Sequence, residues 1–195
     1  MSQLGQLFTL VESPERSGSE RTDDDLMRLA RGGVRDAFDE LVRRHQRRLL
    51  RAARQYTGQT ALAQDIVQST FLEVHRSLHR YEPRGNLPAY FHRILVNQFR
   101  MARRQLRRQE REPAEPVLAA EPQLPSDVVL ANERRRELHA ALSKLSEKLR
   151  LVVVLRFGAD LSYDEIAQAL DLPLGTVKRR LFDGLDALRK LVPTP

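Results

Sequence analysis

The sequence of 195 residues contains no cysteine and no long apolar run. Without cysteine there is no disulfide, no thiolate metal site and no cysteine nucleophile. The longest apolar run, at 151–155, is far shorter than the roughly 20 residues that a membrane helix needs. The N-terminus lacks the basic start and apolar core of a secretory signal. These absences predict a cytoplasmic protein that does not insert into a membrane.

Charge is the property that the sequence has in excess. The chain carries 33 Lys and Arg against 26 Asp and Glu, a net charge of +7, which favours an anionic partner such as nucleic acid or a membrane surface. Residues 43–54 hold six arginines and no acid, and residues 93–111 hold seven arginines and one acid. An arginine run can be a solvated helix face, but two dense runs favour a phosphate-binding surface.

The periodicity predicts an all-α fold of two small helical domains joined by a Pro-rich linker. We expect a flexible acidic tail at 1–22, a first domain at 23–110, a linker at 111–130 and a second domain at 131–192. The linker prediction rests on four prolines within 112–127. Gly32-Gly33 and Thr57-Gly58 should interrupt the helices of the first domain. The apolar run at 151–155 could form a strand by propensity, but its helical flanks favour a helix.

The stretch 161–191 has the pattern of a helix-turn-helix. Ser162 and Glu165 are spaced as a capping box, and Pro173 should end one helix and begin the next. One face of the second helix is apolar: Val177, Leu181, Leu185, Leu188. The other face is polar and basic except for one aromatic side chain: Lys178, Arg179, Phe182, Asp183. The alternative is an ordinary helical hairpin with a solvated basic face.

Several segments together resemble the bacterial sigma factors of the extracytoplasmic-function (ECF) type, in the sigma-70 family. Two segments lie in the first domain: DIVQSTFLEV at 65–74 and RILVN at 93–97. Two more lie in the second: LSYDEIA at 161–167 and GTVK at 175–178. The resemblance implies a protein that binds the clamp and flap regions of core RNA polymerase and directs it to promoter DNA. An anti-sigma factor is a further implied partner, and no cofactor is implied.

The resemblance also implies three sets of site residues. The polymerase-binding set is Asp65, Gln68, Ser69, Phe71, Leu72, His75. The set that reads and helps to melt the −10 element is Pro83, Arg84, Gly85, Asn86, Leu87, Tyr90, Arg93, Asn97, Arg100, Arg103, Arg104. The set that contacts the −35 element is Thr176, Lys178, Arg179, Arg180, Phe182. Ser69 and His75 depart from the usual Glu and Trp of the family, and Phe71 could instead belong to the core.

Other functions are weaker hypotheses. His75 and His79 have the spacing of a helical zinc pair, but the sequence indicates no third ligand. No phosphate-binding glycine loop, Gly-x-Ser-x-Gly motif or nucleophile–base set is present, so we expect no enzyme. Two alternatives stay open. One is a sigma-like decoy that sequesters an anti-sigma factor, and the other is a helix-turn-helix repressor that acts without polymerase.

Overall fold

The computed structural model describes residues 21–82, 85–109 and 137–191, and all regular structure in these ranges is helical. The first unit contains α1 (Asp23–Arg31), α2 (Arg35–Thr57), α3 (Thr60–Arg76), a 3₁₀ turn (Leu78–Arg80) and α4 (Leu87–Gln109). The second unit contains α5 (described over 137–144), α6 (Glu147–Val153), a π turn (Val154–Gly158), α7 (Tyr163–Leu170) and α8 (Leu174–Leu191). The predicted linker and most of the predicted tail lie outside the described residues.

Local sequence signals explain where the helices of the first unit begin and end. The Thr22 side chain accepts from the backbone N–H of Asp25, and the Asp25 carboxylate accepts from that of Thr22, so α1 begins with a capping box. Gly33 separates α1 from α2 with a φ of +91°, and Gly58 ends α2 with a φ of +71°. Both are left-handed conformations that glycine adopts without strain. The predicted interruptions at these glycines are confirmed.

The first unit is held together by apolar side chains that α2, α3 and α4 bury against one another. Leu41, Leu49, Phe91 and Leu95 are completely buried between these helices. Tyr56 near the end of α2 stacks on Phe99 of α4, with ring centroids 5.1 Å apart. Burying each such side chain stabilises the fold by about 1.5–3 kcal/mol, so this core fixes how α4 presents its outer face.

The apolar run at 151–155 is helical, as its flanks indicated. All five side chains are almost completely buried, which explains why the run shows no polar face. The run widens into a π turn, in which the Ala159 N–H donates to Val154 O at 3.0 Å. The helix-turn-helix follows: Ser162 and Glu165 form the predicted capping box of α7, and α8 begins directly after Pro173. The fold class and the helix-turn-helix are therefore confirmed.

The two units are in contact. The Arg48 guanidinium of α2 donates to Ala159 O at 2.8 Å and to Asp160 O at 3.1 Å, at the end of the π turn. His139 of α5 packs directly against Gly58, where a Cβ atom would overlap its imidazole ring. The sequence did not predict which faces of the units meet. In the described part of the chain, no helix is long and apolar enough to cross a membrane.

Candidate nucleic-acid and partner interfaces

The outer face of α3 carries the residues of the predicted polymerase-binding set. Five of the six side chains are exposed: Asp65, Gln68, Ser69, Leu72, His75. Leu72 is 51% exposed, which is high for a large apolar side chain. The sixth member, Phe71, is only 9% exposed and meets the Phe91 ring edge-on at 5.7 Å. Phe71 therefore packs mainly into the core, the alternative that the sequence left open, and its contact with polymerase stays a prediction.

An apolar groove runs beside this exposed face, between α2 and α3. Its volume is about 530 Å³, and both helices contribute side chains to its wall: Phe38, Val42, Gln46, Leu50, Gln64, Val67, Gln68, Phe71, Leu72, His75. The His75 imidazole meets the Phe38 ring edge-on, with centroids 5.1 Å apart. An open apolar groove with a polar rim has the character of a protein-binding surface. The set predicted from the sequence includes residues on the α3 side of this groove and none on the α2 side.

The zinc alternative for His75 and His79 finds no support in the described residues. No group of three or more His, Asp or Glu side chains there could hold a metal ion. The His75 ring contacts Phe38, whereas His79 Nε2 accepts from Arg80 Nε at 3.1 Å. The two imidazoles thus have different partners.

One stripe of α4 carries four members of the predicted −10 set. Arg93, Asn97, Arg100 and Arg104 follow one another at spacings of four, three and four residues, and all four side chains are exposed. Arg103 lies beside the stripe and is about 30% exposed. Guanidinium groups on one exposed helix face can contact successive phosphates, while an amide such as Asn97 can both donate to and accept from a base edge.

The segment before α4 divides into exposed and buried members of the same set. Pro83 and Arg84 lie outside the described residues. Gly85 is exposed and Asn86 is half-buried, whereas Leu87 is 1% exposed. The Leu87 side chain packs into the core at the start of α4, and a DNA contact at this position stays a prediction.

Two tyrosines form an aromatic wall next to this segment. Tyr90, a member of the predicted set, is half-buried, and its hydroxyl bonds to Ser77 Oγ at 2.7 Å. Its ring meets that of Tyr81 edge-on at 5.1 Å. Tyr81 was missed by sequence reasoning, since only its distance to Tyr90 in the fold relates it to the site.

Asp24 of α1 connects this wall to the segment before α4. Its carboxylate accepts from the Tyr81 hydroxyl at 2.5 Å and from the Gly85 N–H at 3.0 Å. Burial and the hydrogen bond to Asp24 raise the pKa of Tyr81, so its hydroxyl stays protonated as the donor. Asp23, Asp24 and Asp25 lie in the first turn of α1, where negative charge is favourable. The structure shows that Asp24 also holds a neighbouring segment in place.

The second unit presents the predicted −35 set on α8. Of the predicted apolar face, Val177, Leu181 and Leu188 are buried and Leu185 is half-buried. Gly184 lets α8 approach Val153 closely. The opposite face of α8 is open to solvent: its Arg179 side chain is 84% exposed, and Phe182 is 72% exposed. Lys178 is also exposed, whereas Thr176 and Arg180 are half-buried. The arrangement suits insertion of the first turns of α8 into the major groove.

Acidic residues limit the positive charge of α8 beyond its first turns. Asp183 lies 3.9 Å from Arg179, and Asp186 forms an ion pair with Lys190 at 2.8 Å. Lys178 is exposed in the first turns of the helix, before Asp183 and Asp186. Contacts with an anionic partner should concentrate in the first two turns.

Comparison with known protein families finds two matches, one in each helical unit. The profile of Sigma-70 region 2 matches residues 41–109, and that of Sigma-70, region 4 matches residues 141–190. The ECF RNA polymerase sigma factor SigE of Mycolicibacterium smegmatis is 38% identical over 156 residues, which cover 78% of this chain and 60% of that protein. The RNA polymerase sigma-H factor of Pseudomonas aeruginosa is 26% identical over 185 residues, covering 88% and 94% of the two chains. This chain thus spans less than two thirds of the SigE relative.

Solved structures with a similar fold include two complexes. CnrH in complex with the cytosolic domain of CnrY gives a TM-score of 0.68 at 27% identity, covering 87% of this chain and 96% of that one. The sigma factor RpoE in complex with the anti-sigma factor NepR, from Bartonella quintana, gives 0.59 at 24% identity, covering 78% and 96%. The second likeness concerns the fold alone.

Proposed function

Because this chain belongs to the ECF group of the sigma-70 family, we propose that it binds core RNA polymerase and directs it to promoters. In this proposal residues 23–110 form the domain that reads and helps to melt the −10 element, and residues 131–192 form the domain that reads the −35 element. The proposal rests on one observation. The same chain has two basic helix faces, on α4 and α8, and an exposed face on α3 that has the character of a protein-binding surface.

We assign polymerase binding to the exposed members of the α3 set and to the adjoining groove. Leu72 and His75 supply apolar and aromatic contact at the groove, while Asp65 and Gln68 can bond to basic and polar groups of the clamp. The second domain would contact the flap region. A sigma factor acts on the chromosome together with polymerase, which supports a cytoplasmic location and a role without catalysis of its own.

We assign capture of a −10 base to the surface between the aromatic wall of Tyr81 and Tyr90 and the α4 stripe. Extruding a base costs a few kcal/mol, and stacking on an aromatic ring returns about 1–3 kcal/mol. Asn97 can read the base edge, and Arg93, Arg100, Arg103 and Arg104 can hold phosphates. On α8, Lys178 and Arg179 are placed to reach base edges, Thr176 and Arg180 to reach the backbone, and Phe182 to make apolar contact.

Transcription reconstituted with core RNA polymerase on the promoter upstream of the gene for this protein tests the proposal against both alternatives. The expected result is promoter-specific, salt-sensitive transcription. Core binding without transcription would support the decoy, and promoter binding in the absence of core would support the repressor. An anti-sigma factor remains part of the proposal because CnrH, a protein of similar fold, is held in a complex with the cytosolic domain of CnrY.

Asn97→Ala gives a sharper test of the −10 surface. Asn97 is exposed, so its removal should leave the fold and core binding intact. We expect transcription from a double-stranded promoter to fall by about tenfold, since a base-edge contact is worth about 1–3 kcal/mol. Gln105→Ala, which removes another exposed amide of α4, is the matched control. Equal activity of the two variants would remove Asn97 from the site, and lost core binding would indicate misfolding instead.

A further inference from the structure

The second unit covers part of the surface that we assign to the −10 element. Glu147 of α6 forms an ion pair with Arg100, at 3.2 Å between Oε1 and Nε, and a second ion pair with Arg103. The Asn86 amide donates to Gln168 Oε1 of α7 at 2.5 Å. Three side chains of the proposed DNA-reading surface are thus occupied by groups of the same chain.

We propose that the second unit is a built-in competitor of promoter DNA, with Glu147 taking the place of DNA phosphates at Arg100 and Arg103. The inference rests on the proposed function, because it needs this surface to bind DNA. Carboxylates and phosphates both accept from the fork of guanidinium N–H groups, and one fork cannot serve both partners fully. The chain must therefore open before its −10 surface can bind. Only open molecules can bind DNA, so the apparent DNA affinity falls in proportion to the fraction of molecules that are open.

The interface between the two units, which we call the closed interface, also includes contacts away from Glu147. Arg48 holds the end of the π turn through two carbonyl oxygens, Ala159 O and Asp160 O. The Arg150 guanidinium of α6 lies over the Phe99 ring of α4, at 5.5 Å from the ring centroid. These contacts align the units so that Glu147 faces the α4 stripe. Neither of them involves a residue of the proposed −10 set.

The closed interface also contains groups that favour opening. Five buried side-chain atoms in the described part of the chain have no hydrogen-bond partner within the protein, and four belong to residues at this interface: Gln55 Oε1, Asn86 Oδ1, His139 Nε2, Arg150 Nε. Burial also lowers the pKa of Arg150, as does the nearby charge of Arg103. Opening returns these groups to water, which offsets part of the free energy that the ion pairs and hydrogen bonds of the interface contribute. The closed arrangement is therefore suited to opening when polymerase engages the two units separately.

The test compares the full-length chain with Glu147→Gln, in the absence of any partner. Since the chain has no cysteine, Asp39→Cys and Arg189→Cys on exposed sites of the two units allow site-specific labelling for distance measurement. We expect Glu147→Gln to lengthen the distance between the labels. It should also tighten binding of a short single-stranded DNA of mixed sequence by about threefold, because two partly exposed ion pairs no longer oppose opening. Glu137→Gln, which neutralises an exposed acid of the same unit, controls for the change in net charge.

A second variant opens the interface without changing charge. A Cβ atom at Gly158 would overlap the Gln55 side chain of the first unit, so Gly158→Leu should wedge the units apart. Circular dichroism checks that its helices are retained. If neither variant lengthens the distance, the closed arrangement is overturned. If the distance lengthens but DNA binding does not exceed that of Glu137→Gln, competition with DNA is overturned. Transcription by the unmodified chain with core polymerase tests the proposed function independently of both results.

Discussion

Burial sets the protonation state of His92, on the inner face of α4. Its side chain is almost completely buried, and burial lowers its pKa from 6.5 to about 4. Nδ1 bonds to Pro88 O at 2.8 Å, whereas Nε2 has no partner within the protein. Protonating Nε2 would therefore bury a positive charge without an acceptor, so the folded first unit requires the neutral imidazole.

This requirement predicts a stability that falls as the pH decreases. Between pH 6.5 and 4 the unfolded chain binds a proton at His92 that the folded chain does not. The contribution of His92 is fully present above the unfolded pKa and is lost as the pH falls toward 4. The loss should reach about 3 kcal/mol, and His92→Gln should reduce the pH dependence by that amount. Urea unfolding of both proteins across this pH range measures it, and equal slopes would contradict the prediction.

Phe71 and Leu72 show what residue spacing could and could not predict. Both were expected at the polymerase-binding face, but Phe71 is 9% exposed and Leu72 is 51% exposed. Adjacent residues on a helix point about 100° apart, so spacing locates a face only to within one residue. Which of the two is buried depends on the position of α4 and its Phe91 ring. The same limit applies to Leu87 at the start of α4, whose burial depends on packing in the fold.

The helix-turn-helix was the element most fully predicted from sequence. Its start depends on a reciprocal pair: Ser162 Oγ accepts from the Glu165 N–H at 3.2 Å, and Glu165 Oε2 accepts from the Ser162 N–H at 2.7 Å. Capping boxes are local, so sequence alone predicts them well. The π turn at Val154–Gly158 was not predicted, because it depends on packing around α6 and has no comparable local signature.

Ser162→Ala should destabilise the second unit by about 1 kcal/mol, because one N–H at the start of α7 loses its acceptor. The Glu165 carboxylate would keep its own bond to the backbone, so the helix should shorten only at its first turn. Ser143→Ala is a matched control, since Ser143 is an exposed serine that bonds only to Ala140 O one turn earlier in the described structure. Thermal unfolding should show a clear decrease for Ser162→Ala alone, and equal decreases would argue against the cap.

At the scale of the whole molecule, the sequence predicted two basic helical units and not their mutual arrangement. The arginine-rich segments 43–54 and 93–111 were both expected to meet phosphates. In the structure Arg48 binds carbonyl oxygens of the second unit and Arg103 pairs with Glu147 of that unit, whereas Arg104 is exposed. Such a division depends on which surfaces complement each other in three dimensions. Composition records only that the charge is present, and the extents of the two domains stay a prediction.

The charge on α4 should be measurable in the salt dependence of promoter binding by the polymerase complex. Each phosphate contact contributes about −0.9 to the slope of log affinity against log salt concentration. Replacing Arg103 and Arg104 together by alanine should flatten that slope by about two, and should weaken binding to all promoters alike, since phosphate contacts carry no sequence information.

The control for that experiment must remove the same charge elsewhere. Arg31→Ala with Arg35→Ala also removes two exposed arginines, but from the junction of α1 and α2, outside the proposed surface. An equal change in slope for both pairs would mean that only net charge matters, which would argue against contacts by α4. A flattened slope for the α4 pair alone would locate phosphates at the stripe. Because Arg103 binds Glu147 in the free chain, the effect should be larger in the polymerase complex than in the chain by itself.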